Sequence, residues 1–298
     1  MRSFPPLPDV RGSQASDDLF AGHLWLLELI DGTGLRFRMD ESGLLRFGDP
    51  ETTYPDRDAV PLALRPAVRH IRERFDREAL RDAVDAPESV VFFGVATHHR
   101  GTDYDWDRLP PFLGTDVWIG SRAEGEVGSR GGAGAGAESG TFRPPDAAAA
   151  IFEGIGLDPV NAVEREVNAR DFDPEGYAIP DSSWRDGPAA GVVVRNKRGG
   201  RGTLLAEDPA RHASDAGTAL DDAEAVAAAY ATDDRFDRVV DGLDRGGERV
   251  TVDAVADRVV ESIARGAPVR FGAGGGSADP DRVRAAVIER ARVALDGG

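Results

Sequence analysis

Few side chains in this chain could act directly on a substrate. Lys197 is the single lysine among 298 residues, and therefore the one amine side chain available as a nucleophile. Glu28 and Asp31 are carboxylates three residues apart at the end of an apolar run. His98 and His99 are adjacent, and adjacent residues of a strand point to opposite faces, so the pair is poorly placed to share one ion. They are expected to be loop residues or contacts to RNA, and His70 a surface or half-buried histidine of a helix. There is no cysteine, which excludes disulfides, thiolate catalysis and thiolate zinc sites. No phosphate loop is present either, because Gly132 to Gly136 is not followed by Lys-Ser/Thr.

The elements that must position these groups begin with Gly22 to Phe47. Leu24, Leu26, Glu28 and Ile30 alternate with Trp25, Leu27 and Leu29, and Asp31-Gly32-Thr33-Gly34 then breaks the alternation. Leu35 to Met39 resumes it, and Asp40-Glu41-Ser42-Gly43 turns the chain before Leu44 to Phe47. Period-two runs bounded by Asp, Gly and Ser predict strands joined around tight turns. Residues 51–60 read as loop. Leu62 to Val84 has helical spacing, with Pro66 suited to a first turn. Glu88 to Thr97 is a short apolar run expected to be a buried strand, and Phe112 to Trp118 another after Pro110-Pro111. Phe112 and Trp118 read as core. Gly120 to Gly140 has the composition of a flexible insertion, and Asp146 to Ile155 predicts a helix capped by Asp146. Asn161 to Phe172 is charged and mixed. Gly191 to Asn196 and Thr203 to Leu205 read as strands around the glycine-rich hairpin Lys197 to Gly202. Ala223 to Ala231, Arg235 to Leu243, Val252 to Ala264 and Asp279 to Leu295 predict four helices.

Glu28-Leu29-Ile30-Asp31-Gly32-Thr33 resembles the first motif of the ATP-dependent RNA ligases, members of the covalent nucleotidyltransferase superfamily. In that family the motif reads Glu-Lys-x-Asp/His-Gly-Thr, and its lysine takes AMP from ATP as a phosphoramidate. Here Leu29 stands in the lysine's place. Later segments resemble the family's later motifs in order and spacing, from Gly22 to Leu205. The third motif's apolar strand ends in Gly-Glu, whereas Gly94 is followed by Val95. An aromatic residue that stacks on adenine precedes an Asp-Val pair in the family; Asp116-Val117 matches the pair, but Thr115 occupies the stacking place. Gly191-Val192-Val193-Val194-Arg195-Asn196 is similar to the fourth motif, with Ala190 at its glutamate position. The fifth motif's phosphate-holding cations fall at Thr203 and Leu205, and the Ser-Arg or similar pair that the family carries after the second hairpin is replaced by Gly48-Asp49-Pro50.

The resemblance therefore implies a nucleotide pocket lined by Glu28, Leu29, Asp31, Gly32, Val95, Thr115, Ala190, Gly191 and Thr203, with ATP and Mg²⁺ as the family's cofactors. Each missing polar group is replaced by a small or apolar one. An isolated buried charge costs several kcal/mol, so removing the set together leaves no stranded ion. A leucine has no lone pair, so Leu29 forbids the lysyl-AMP step, and nothing in the sequence brings Lys197 to it.

The formal charge is −17, from 53 acidic and 36 basic residues, with arginine almost wholly replacing lysine. This balance suggests a salt-adapted, haloarchaeal type of protein. Net acidity argues against nucleic-acid binding at low salt. In molar salt counterion release drives association only weakly, and local arginine geometry decides. No apolar run approaches the roughly 20 residues that span a bilayer, and residues 1–14 lack an apolar signal core, so a cytoplasmic location is expected.

The expected fold is α+β: a nucleotidyltransferase domain of two antiparallel sheets flanked by helices, ATP-grasp-like in layout, with a small C-terminal helical domain. Expected boundaries are a flexible arm at 1–21, the nucleotidyltransferase domain at 22–205 with its insertion at 120–140, and the helical domain at 206–298. The function implied is that of an RNA-ligase-like protein without an intact nucleophile, binding RNA ends, nucleotide or a protein partner. The alternatives are sealing of pre-adenylylated RNA ends, with Glu28 and Asp31 holding a metal, and a regulatory subunit of an intact ligase. No membrane partner is expected.

Overall fold

The computed structural model describes residues 1–12, 17–120, 139–206, 220–272 and 277–296. The strands are β1 (His23–Glu28), β2 (Gly32–Met39), β3 (Leu45–Gly48), β4 (Thr53–Tyr54), β5 (Val90–Thr97), β6 (Phe112–Gly120), β7 (Gly140–Phe142), β8 (Ala162–Asn168), β9 (Gly191–Asn196) and β10 (Arg201–Leu205). They form a four-stranded sheet in the order β10-β9-β1-β8 and a six-stranded sheet in the order β4-β3-β2-β5-β6-β7. The helices are α1 (Arg65–Arg74), α2 (Arg77–Ala83), α3 (Pro145–Gly154), α4 (Ala223–Tyr230), α5 (Asp233–Arg245), α6 (Val252–Gly266) and α7 (Pro280–Asp296).

The fold is α+β with antiparallel pairing in both sheets. One expectation is overturned at its centre. β1 and β2 do not form a hairpin; they lie in different sheets, and Leu29 to Asp31 carries the chain from one to the other. Alternation alone identifies strands but not their partners. The true hairpin is β2–β3, where Asp40 accepts from the Ser42 and Leu44 amides, each at 3.0 Å. The long helix expected from Leu62 to Val84 is broken into a short 3-10 turn, α1 and α2. Asp76 interrupts it by capping α2, accepting from the Glu78 and Ala79 amides at 2.9 Å. Asp146 does not cap α3, whose first residue is Pro145. The charged stretch after Asn161 is strand β8, interrupted by a bulge. The insertion expected at 120–140 lies almost wholly outside the described residues.

The described residues fall into two units. The first comprises residues 1–55, 70–96 and 112–206; the second comprises 56–69, 97–111 and the described residues from 220 onward. Two segments that precede residue 206 in sequence thus belong with the C-terminal helices.

In the first unit one face of the six-stranded sheet packs on helices through aromatic rings. Phe37 stacks on Phe92 at 4.9 Å, and Phe75, Phe112 and Phe152 surround the pair. Each such ring contributes on the order of 2–3 kcal/mol by burial. The four-stranded sheet turns Leu24, Leu26, Val192, Val194 and Leu204 to a separate core with Phe172. Residues 1–10, expected to be a loose arm, are packed: Phe4 meets Phe93 edge-on at 5.1 Å, and Val10 is buried.

In the second unit α4 to α7 enclose a core of Val226, Phe236, Val255, Val259, Ile263, Val283 and Val287. Arg265 clasps the 97–111 segment, donating to Thr97 O at 3.2 Å and Trp106 O at 2.9 Å while lying over the Trp106 ring. Burial pushes its guanidinium pKa down to about 10. Glu261, also buried, is paired with Arg57, Arg69 and Arg258. No helix among the described residues is long and apolar enough to cross a membrane.

Candidate functional site

The crossing from β1 to β2 builds the candidate site. The Leu29 amide donates to Gly191 O at 3.0 Å, which fixes the end of β1 beside the start of β9. Three residues later Gly32 passes over the end of β5. A methyl group on Gly32 would stand 2.2 Å from Ala96 O and 2.7 Å from Val95 Cγ2, so only glycine permits this approach. Gly191 is held equally closely by Leu204 O, 2.4 Å from where its Cβ would be. The crossing is thus held at one end by the Leu29–Gly191 bond and at the other by the close passage of Gly32 over Val95 and Ala96, and this region is called the corner. Ala190 is buried beside it and accepts from the Ala206 amide at 3.1 Å. Thr203 lies on β10 opposite Val193, one alternation step from the Leu205–Gly191 pair.

Two of the nine expected pocket residues are turned to other work. Glu28 shares its face of β1 with Leu24 and Leu26, not with Leu29. It is 1% exposed, and its carboxylate accepts from Ser182 Oγ at 2.6 Å, Asn161 Nδ2 at 2.7 Å and the Ser183 amide at 3.2 Å. That network ties β1 to the 181–184 turn, where Trp184 Nε1 donates to Asn161 Oδ1 at 3.1 Å. Thr115 is the extra residue of a bulge in β6, and its hydroxyl donates to Phe93 O at 3.3 Å.

Asp31 is half-buried at the crossing itself. Lys197 does not approach the corner. It sits on the β9–β10 hairpin and bridges Glu166 at 2.8 Å and Asp146 at 3.1 Å. Its hydrogen bonds to Glu166 first, and then to Asp146, raise its pKa, so its nitrogen is an ammonium with no lone pair to offer. Among the described residues, no group of three or more His, Asp or Glu side chains is arranged to hold a metal ion. At the crossing Val95 and Ala190 are apolar, Glu28 is hydrogen-bonded to Ser182, Asn161 and Ser183, and Asp31 is the remaining carboxylate.

Sequence reasoning missed the charged cluster that joins the sheets. Asp116 Oδ1 lies 2.6 Å from Arg201 Nη1 and 2.8 Å from Arg195 Nη2, and all three side chains are buried. Arg195 also donates to Thr115 O at 2.6 Å, and Arg201 stacks on Phe142 at 4.7 Å. Burial is the main influence on Arg195 and lowers its pKa, with Asp116 acting in the opposite sense. A signal was present. The tight hairpin places Arg195 directly opposite Arg201, and like charges so paired require an intervening anion.

No protein-family model matches this chain, and no curated protein sequence matches it. Solved structures similar to it include an archaeal ATP-dependent RNA ligase in two forms. Form 2 is 16% identical with a TM-score of 0.45, covering 90% of this chain and 64% of that one. Form 1 is 15% identical with a TM-score of 0.45, covering 99% of this chain and 66% of that one. A Naegleria gruberi RNA ligase mutant with ATP and Mn is 11% identical with a TM-score of 0.48, covering 69% of this chain and 56% of that one. The chain thus spans just under two thirds of the length of the archaeal ligase.

Proposed function

We propose that this chain is an RNA-ligase-like protein of the nucleotidyltransferase type that binds RNA ends without joining them. The observation that carries this is the corner formed by Leu29, Gly32, Val95 and Gly191. The first-motif segment there makes a tight crossing between two antiparallel sheets, yet an aliphatic side chain stands where the family's amine would be. Covalent nucleotidyl transfer needs a nucleophile with an available lone pair. Leucine has none, and Lys197 is held as an ammonium by two carboxylates. Catalysis also needs cations aimed at the transferring phosphoryl group, and Thr203 and Leu205 provide none. The corner's small and apolar substitutions support a binding role in place of a chemical one, in a salt-adapted cytoplasm suggested by the charge of −17.

Labelled ATP with Mg²⁺, followed by denaturing gel analysis, tests the chemical half: no covalent AMP is expected, and a labelled protein band overturns it. Fluorescence anisotropy with a 5′-phosphorylated oligoribonucleotide tests the binding half, where a saturable rise is expected.

A further inference from the structure

We infer that Arg265 is a positioning residue for the candidate site: from α6 it holds Thr97, the last residue of β5, and so sets the Val95–Ala96 backbone over which Gly32 crosses. Its effect on RNA ends rests on the function proposed above.

Glu261 and Arg265 stand one turn apart on α6, the spacing at which a glutamate and an arginine ordinarily pair with each other. Here their hydrogen bonds go elsewhere. Glu261 accepts from Arg57 at 3.1 Å and from Arg69, both in the 56–69 segment. Arg265 donates to the 97–111 segment. One face of α6 thus grips the two segments that precede residue 206 in sequence yet fold with the C-terminal helices.

The grip of Arg265 is a geometric one. Its Nε donates to Thr97 O at 3.2 Å and its Nη1 to Trp106 O at 2.9 Å, while Nη2 donates to Thr97 Oγ1 at 3.1 Å and to Leu109 O. All four acceptors are uncharged. An ion withdrawn from water among neutral oxygens adds little to stability. What the planar guanidinium adds is specification, because its fixed fork of donors fits one arrangement of those oxygens. Thr97 is 1% exposed, and its hydroxyl donates in turn to Pro110 O at 2.7 Å and its amide to Pro111 O at 3.0 Å. The His99 amide donates to Arg265 O at 2.7 Å, which ties the same loop to the end of α6.

Thr97 follows Ala96 directly, and the Ala96 carbonyl is where the crossing has no slack. A Cβ on Gly32 would stand 2.2 Å from that oxygen. Close-packed backbone passes a displacement on instead of absorbing it. Only Ile30 and Asp31 separate Gly32 from Leu29, whose amide is fixed on Gly191 O at 3.0 Å. A shift of Thr97 therefore reaches both ends of the crossing, and Arg265 acts on the site through Thr97.

Three variants test this in the full chain. Arg265→Lys keeps the charge and removes the fork, Thr97→Val keeps the shape and removes the hydroxyl, and Thr97→Ser retains the hydroxyl. Hydrogen exchange is read at the Leu29 amide, with the Ile263 amide inside α6 as the control. Exchange at Leu29 should rise about tenfold in Arg265→Lys and in Thr97→Val, with Ile263 unchanged within about twofold. Anisotropy with a 5′-phosphorylated oligoribonucleotide should show a loss of about tenfold in each, no further loss in the double variant, and wild-type affinity in Thr97→Ser. If circular dichroism shows Arg265→Lys unfolded, Thr97→Val and Thr97→Ser carry the same comparison. Exchange at Leu29 that rises only in step with Ile263 makes Arg265 a structural residue and overturns the positioning role. Exchange and affinity that ignore both Arg265→Lys and Thr97→Val overturn it as well, while the RNA function stands. Wild-type protein that binds no RNA, with Leu29 exchange still quickened by both variants, keeps the positioning role and removes the RNA function.

Discussion

Asp116 on β6 lies 2.6 Å from Arg201 on β10, a buried ion pair that spans from one sheet to the other. It is shared with Arg195, so a single carboxylate faces two guanidinium groups in a space from which water is excluded. Asp116→Asn keeps the shape and removes the charge, stranding both arginines. The expected loss is about 3–5 kcal/mol, read as a lower urea midpoint. Replacing all three by apolar residues of similar volume should cost less than the single change, because no ion is then left alone.

Glu28 supports a second expectation. Its carboxylate accepts from three protein donors while contributing nothing to the corner occupied by Leu29. Glu28→Gln turns an amide group toward at least one of those donors. A loss of about 1–3 kcal/mol is expected, with faster hydrogen exchange at the Ser183 amide. A change in nucleotide affinity without a change in stability would instead place Glu28 in a ligand site.

The β2–β3 hairpin carries a pH signature. The Ser42 hydroxyl is the largest influence on Asp40, with Arg46 and the Leu44 amide adding to it, and together they lower its pKa to about 2. The unfolded value is about 3.9. A depressed folded pKa means that Asp40 supports the hairpin above about pH 4, and that this support is lost as pH falls through about 2. The amide shifts of Ser42 and Leu44 should titrate together in that window, and Asp40→Asn should abolish the titration.

Much of this architecture was legible in the residues. The four C-terminal helices fell within about two residues of their expected ends, because apolar spacing there is regular and Thr251 and Asp222 mark helix starts. β5, β6 and β9 were legible for a similar reason: they are continuous apolar runs. What alternation could not tell was pairing. Leu24 to Met39 looks like a hairpin, and only the close passage of Gly32 over Ala96 shows the chain leaving one sheet for the other. β8 was missed because Glu164, Arg165 and Glu166 are exposed, and Glu166 takes a positive φ of 57° at the bulge, so no alternation survives. The packed arm was missed because proline-rich composition describes an unladdered chain, not an unattached one. At the candidate site, sequence order could not show that Glu28 is hydrogen-bonded to the 181–184 turn or that Thr115 is spent on a bulge.

Leu29→Lys is the most direct probe of the corner. Leu29 is half-buried and follows β1 with its amide fixed on Gly191, and the proposed function assigns this position to the missing nucleophile. An amine alone is not sufficient. Val95 and Ala190 leave the metal and ribose without carboxylates, and Thr203 and Leu205 leave the α-phosphate without cations. The new lysine would also stand at a half-buried position beside Gly191, so burial should depress its pKa and cost on the order of 1 kcal/mol or more in stability. Labelled ATP should leave Leu29→Lys unmodified. Adding Val95→Glu, Ala190→Glu and Thr203→Lys should be the minimum set at which covalent AMP becomes detectable. Robust labelling of the single mutant would show that metal and phosphate are held by groups other than those positions.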